Sequence, residues 1–134
     1  MVTYDQQHYT ATVIAASSVH DLALLHIDKL DAPYFQPAKE VVRGETVYIL
    51  GSPLGETNSL SKGIIAKLDG DHTLLDCSAL PGNSGSAVYD SDGKMIGVLV
   101  AGYTVGYGVT NLTIAQSLDT VKFFIMETYR RLSR

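Results

Sequence analysis

Ser84 lies in LPGNSGSAVYD, residues 80 to 90, with Gly82 and Gly85 close on either side and an apolar run directly after it. A serine hydroxyl is a poor nucleophile at neutral pH and attacks a carbonyl only when a base removes its proton. The attack builds negative charge on the carbonyl oxygen. Fixed donors must face that oxygen, and losing one costs roughly 3 kcal/mol of transition-state stabilisation. Gly82 lets the backbone turn so that its N–H and that of Ser84 can converge on one point, and Gly85 permits a tight exit into the strand starting at Ser86. The same residues are also good β-turn material, so composition alone leaves two readings open.

Other chemistry is thinly represented. One cysteine, Cys77, and four scattered histidines, His8, His20, His26 and His72, show no zinc-ligand spacing. The DSDG of residues 90 to 93 resembles the start of a calcium loop, but the downstream glutamate is missing and two apolar runs flank it, as in a hairpin turn. No metal and no cofactor are expected.

The elements that must hold Ser84 are short and β-rich. TATVIAAS (10–17), DLALLHI (21–27), ETVYILG (45–51), GIIAKLD (63–69), HTLLDCS (72–78), SAVYDSDGKMIGVLVAGY (86–103) and YGVTNLTI (107–114) follow one another at the spacing of an all-β sandwich or barrel. From Ser117 the period changes. Leu118, Val121, Phe124, Ile125 and Tyr129 recur at helical spacing, Ser117 is placed to cap the helix, and Arg130, Arg131 and Arg134 complement its C-terminal dipole. No repeat, linker or low-complexity stretch interrupts the 134 residues, which read as one domain.

Bulk properties narrow the partners. The chain is 46% hydrophobic, and its formal charge of -4 disfavours nucleic acid as a ligand. No apolar run reaches spanning length and the N-terminus lacks a signal-peptide pattern, so no membrane partner is expected. A single cysteine excludes an internal disulfide and suits a reducing compartment such as the cytoplasm, without fixing the location.

The stretch LLDCSALPGNSGSAVYDSDGKMIGVLVAGY resembles the core of trypsin-like serine peptidases, most closely their HtrA (Deg) branch. Three further segments match in the same order. DLALLHI resembles the strand opening with the triad aspartate, YILGSPLGETNSLSKGIIAKL the Gly-x-Pro-x-Gly turn with its following strand, and YGVTNL the late strand closing the substrate pocket. The resemblance implies an all-β, chymotrypsin-like double β-barrel with a C-terminal α-helix. Its first barrel would be incomplete, with roughly 1–55 the remainder of the first barrel, 56–116 the second and 117–134 the helix. By the same resemblance Ser84 is the nucleophile and Asp21 the triad acid, with the oxyanion hole formed by Gly82 and Ser84. Ser78 would floor the specificity pocket, Val100, Ala101 and Gly102 would pair with an extended peptide, and Gly106 and Gly108 would keep the pocket wall open. With no acid at its floor, that pocket suits an apolar side chain.

The triad histidine breaks the pattern. VTYDQQHYTATVI already resembles the strand after it, so the expected histidine would lie before Met1. His20 adjoins Asp21 but points to the opposite strand face, His8 belongs to a hairpin tip, His26 to an apolar strand and His72 to a turn. A buried Asp21 without that partner would be a desolvated carboxylate. Two readings follow: an N-terminally truncated serine endopeptidase, inactive by itself, or a pseudopeptidase that holds peptides without cutting them. Either takes a peptide or protein as partner. The sheet edge left open would be covered by another copy of the chain, as a homo-oligomer, or by a complementing N-terminal segment.

Overall fold

The computed structural model describes every residue except 2, 4, 53–58, 78–81, 106–107 and 134, with the backbone alone over 101–105 and 108–111. Eight strands and one helix follow in order: β1 (Ala11–Ser17), β2 (Leu22–Ile27), β3 (Thr46–Gly51), β4 (Ser59–Asp69), β5 (His72–Asp76), β6 (Ala87–Tyr89), β7 (Met95–Val105), β8 (Gly108–Ser117) and α1 (Leu118–Leu132). β3, β4, β5, β8, β7 and β6 form a closed barrel, every neighbour antiparallel, and β1 pairs with β2 in a separate two-stranded sheet. The molecule is thus all-β with a C-terminal helix, as the sequence pattern and the resemblance imply.

Closure follows from side-chain alternation, because successive residues of a strand face opposite sides. Val47 and Ile49 of β3, Thr73 and Leu75 of β5, Thr113 and Ala115 of β8 alternate inward and are fully or almost fully buried with Ile65, Val88 and Ile96. Val88 of β6 pairs with Ile49 of β3 and closes the ring. The buried Thr113 hydroxyl is satisfied within it, its Oγ1 donating to the Cys77 carbonyl at 2.7 Å. The Cys77 thiol is pushed up from its ordinary pKa by burial and, secondarily, by the charge of Asp76.

One boundary moves. The sequence reading assigns residues through 55 to the first barrel, yet β3 pairs with β4 on one side and β6 on the other and belongs to the closed barrel. Of the first barrel, the described residues contribute the β1–β2 hairpin.

The turn between β6 and β7 is built by Asp90, whose Oδ1 accepts the N–H groups of Asp92 and Lys94, both at 2.9 Å, while Gly93 takes φ +75°. That arrangement makes DSDG the hairpin turn its flanks suggest. Ser117 caps α1 by accepting from Thr120 N at 3.2 Å. Both residues also donate to the Asp71 carbonyl, Ser117 through its N–H and Thr120 through Oγ1, which pins the helix start to the β4–β5 turn. Leu118, Val121 and Phe124 face inward as the spacing predicts. Tyr129 does not: it is exposed, and Thr128 takes the buried position, its hydroxyl donating to Phe124 O at 2.9 Å. A threonine bonded back to its own helix fills a buried position that hydropathy reads as polar. No helix among the described residues is long and apolar enough to cross a membrane.

Leu75→Ala, which empties a fully enclosed site, is expected to lower stability by about 2–5 kcal/mol, and Tyr129→Ala to change it by less than about 0.5 kcal/mol. Urea denaturation of the two variants checks both.

Candidate active site

The loop carrying Ser84 is held from both sides. Gly85 N donates to Leu99 O and Leu99 N donates to Ser86 O, each at 2.8 Å, which binds the loop to the middle of β7. Ser86 N donates to Asn83 O at 3.0 Å and closes the turn. Gly82 and Gly85 take φ +98° and +90°, a region that a side-chain-bearing residue enters only with strain, so the glycines flanking Asn83 and Ser84 are a backbone requirement. Ser84 is exposed on this turn, and its Oγ donates to the carbonyl of Val100 at 2.8 Å. The N–H groups of Gly82 and Ser84 donate to no acceptor among the described residues.

Beneath Ser84 the packing is tight. Asn83 is only 3% exposed, and its Oδ1 is buried with no donor among the described residues. A Cβ on Gly51, the last residue of β3, would overlap that oxygen and the Ser86 hydroxyl. The carboxamide therefore wedges the turn against the end of β3, and only glycine leaves room for it.

β7 supplies the neighbouring backbone. Its pairing with β6 ends at Ala87↔Val98, whereas its pairing with β8 runs on to Val105↔Gly108. The register slips between Leu99 and Ala101, so Val100 sits in a bulge without a partner in the β8 ladder. Bulges commonly re-aim a backbone group beside a functional site. Ala101 and Gly102 pair with Ile114 and Thr113, and Gly108 opens β8 opposite Val105. Ser78 and Gly106 lie outside the described residues.

Asp21 stands in the turn before β2, not within the strand, with φ +51°, a conformation aspartate tolerates better than most residues. It is exposed, which corrects the expected burial: the β1–β2 sheet has two strands, and no side chain among the described residues bonds the Asp21 carboxylate. No hydrogen bond or ion pair among the described residues joins Asp21 to Ser84. The two are nevertheless tethered to one ribbon. Gln116 Nε2 donates to the His20 carbonyl, next to Asp21, and Gln116 pairs with Val98, two residues before the Val100 that accepts from Ser84. Gln116 is nearly buried and went unnoticed in the sequence. A glutamine just before a helix cap carries no signal that separates a tether from a surface residue.

Two of the four histidines make contacts elsewhere. The His20 ring lies edge-on to Phe123 of α1, centroids 6.3 Å apart, and His26 Nε2 bonds the carboxylate of Asp28 at 2.8 Å on the surface. His8 and His72 are exposed, and none of the four bonds Ser84.

Gly51→Ala should displace the Asn83 wedge and destabilise the protein by about 1–3 kcal/mol, as overpacking does elsewhere. Urea denaturation measures the loss, and an unchanged midpoint would show that the wedge yields freely.

A family model described as a trypsin-like peptidase domain matches residues 1–98. The Serine protease Do-like HtrA of Bacillus subtilis (strain 168) is 30% identical over 115 residues, which are 71% of this chain and 25% of that protein. A probable periplasmic serine endoprotease DegP-like of Hahella chejuensis is 28% identical over 125 residues, 86% of this chain and 27% of its own length. The chain thus spans about a quarter of the curated relatives it matches. The solved structure of the HtrA-type protease AlgW with a decapeptide superposes with a TM-score of 0.85 at 23% identity, covering 96% of this chain and 43% of that one. With a closed β-barrel, a C-terminal helix and a Gly-Asn-Ser-Gly turn set against β7, the chain belongs to the trypsin-like serine peptidase family, in its HtrA/Deg branch.

Proposed function

We propose that Ser84 is the nucleophile of a serine endopeptidase site and that Asp21 orients an imidazole supplied from outside these 134 residues. That imidazole takes the Ser84 proton as the oxygen attacks the scissile carbonyl. The N–H groups of Gly82 and Ser84 bind the oxyanion, the amine leaves with the proton, and water releases the acyl group from Ser84 by the reverse path. The substrate backbone runs along Val100, Ala101 and Gly102, beside a pocket floored by Ser78 and left open by Gly106 and Gly108. That pocket takes an apolar side chain.

The observation that carries this reading is the contact between Ser84 Oγ and Val100 O, because it joins the nucleophile to the strand along which a peptide would lie. The side of β7 beyond Leu99, which pairs with no strand among the described residues, supports it, since an unpaired strand edge is a template for another strand. One relative in fold is named as solved with a decapeptide.

A complementing N-terminal segment, or a second copy of the chain, covers the β1–β2 hairpin in this reading. Two-stranded sheets are marginal alone. Val13 and Leu25, opposite each other in the hairpin, are 61% and 46% exposed, which leaves an apolar pair in need of cover.

A second reading, a module that binds peptides without cutting them, draws on two facts: the Ser84 hydroxyl donates to a backbone carbonyl, and Asp21 has no partner among the described residues. A fluorophosphonate probe separates the two. These 134 residues alone are expected to resist labelling, while the protein extended by an upstream histidine-bearing segment is labelled at Ser84. Labelling of the 134 residues alone would place a working base among their own histidines. An extended protein that binds peptide but is never labelled would establish the module.

A further inference from the structure

Val100 does more than border the Ser84 loop. It falls in the bulge between Leu99 and Ala101 and has no partner residue in the β8 register. The loop reaches β7 from the other side, through Gly85 N to Leu99 O and Leu99 N to Ser86 O, and the Ser84 hydroxyl approaches Val100 O from that same side. This is also the side on which the β6 pairing stops, at Val98, and on which, beyond Leu99, no described strand pairs with β7. The Ser84 hydroxyl and the amide of an incoming strand thus converge on one acceptor.

We propose that Val100 is a positioning residue whose carbonyl is shared: at rest it holds the Ser84 hydroxyl, and an extended peptide displaces that hydroxyl by donating its own backbone N–H to the same oxygen. The inference rests on the proposed peptide track along β7. No covalent bond changes. One O–H···O=C bond is exchanged for one N–H···O=C bond, and the hydroxyl rotates away with its proton still attached. A peptide lying on β7 thereby shifts Ser84 from the Val100 carbonyl toward donation to an imidazole. The flanking glycines carry the loop's positive φ angles, and the buried Asn83 oxygen has no donor among the described residues, so releasing Ser84 breaks no bond there.

The consequence is that the nucleophile and the substrate compete. Removing the hydroxyl should therefore tighten peptide binding, where a serine that merely lay beside the track would leave affinity unchanged or weaken it. The probe is a fluorescein-labelled decapeptide of alternating Val and Thr, titrated by anisotropy against the wild type, Ser84→Ala and Ser84→Cys. The cysteine keeps the bulk but is a much weaker donor. Both variants are expected to bind about two- to tenfold more tightly than wild type, the size of one neutral hydrogen bond. Equal or weaker binding by Ser84→Ala would overturn the shared acceptor while leaving the track intact. Tightening by Ser84→Ala alone would also overturn it, as relief of crowding. No binding to any of the three would overturn the track itself, and the inference with it.

Discussion

β7 is bonded along its length to β8 but only along its first part to β6, and the candidate site occupies the difference. Where β6 ends, the chain before it turns through Gly82–Ser86 and lies against Leu99, so the serine loop takes the place of the missing rungs of the ladder. Loop and strand are thereby one structure: the same two bonds that seat the loop also satisfy the β7 backbone at Leu99. Beyond that point no strand among the described residues pairs with the edge. Buried or not, backbone donors and acceptors seek partners, and in the proposed function this edge, next to an exposed serine hydroxyl, is where a peptide would lie.

The second constraint is the coupling of the hairpin to the barrel. A β1–β2 pair could not keep a fixed position by itself. It is held by Gln116, which reaches from the end of β8 to the His20 carbonyl, and by Phe123 of α1 against the His20 ring. The first contact comes from the end of β8, one residue before the Ser117 cap, and the second from the helix that Ser117 caps and the Asp71 carbonyl anchors. Both reach His20, the residue next to Asp21, from the end of β8 and from the helix, far from it in sequence. Between hairpin and helix lies a cleft of about 630 Å³ lined by Ile14, Val19, Phe123 and Leu132 among others.

Much of this was legible because it is local. Alternating apolar residues mark each barrel strand to within a few positions, DSDG marks the β6–β7 turn, and Ser117 followed by a helical period marks the cap. The glycines around Ser84 announce a strained turn, and the structure finds positive φ at both. Non-local facts stayed hidden. ETVYILG reads as a strand in either barrel, and only its pairing with β6, some forty residues on, assigns it. The exposure of Asp21 depends on what covers its turn, and the burial of Asn83 on the absence of a side chain at Gly51. The Ser84–Val100 bond follows from a one-residue register slip that no hydropathy pattern records.

The account turns on β7 being the strand to which a peptide adds. Amide hydrogen exchange, followed with and without a saturating extended peptide, tests that most directly. Slowed exchange confined to residues 100–105 and the 82–86 loop is the predicted result. Protection along β1 and β2 instead, with β7 unchanged, would contradict it.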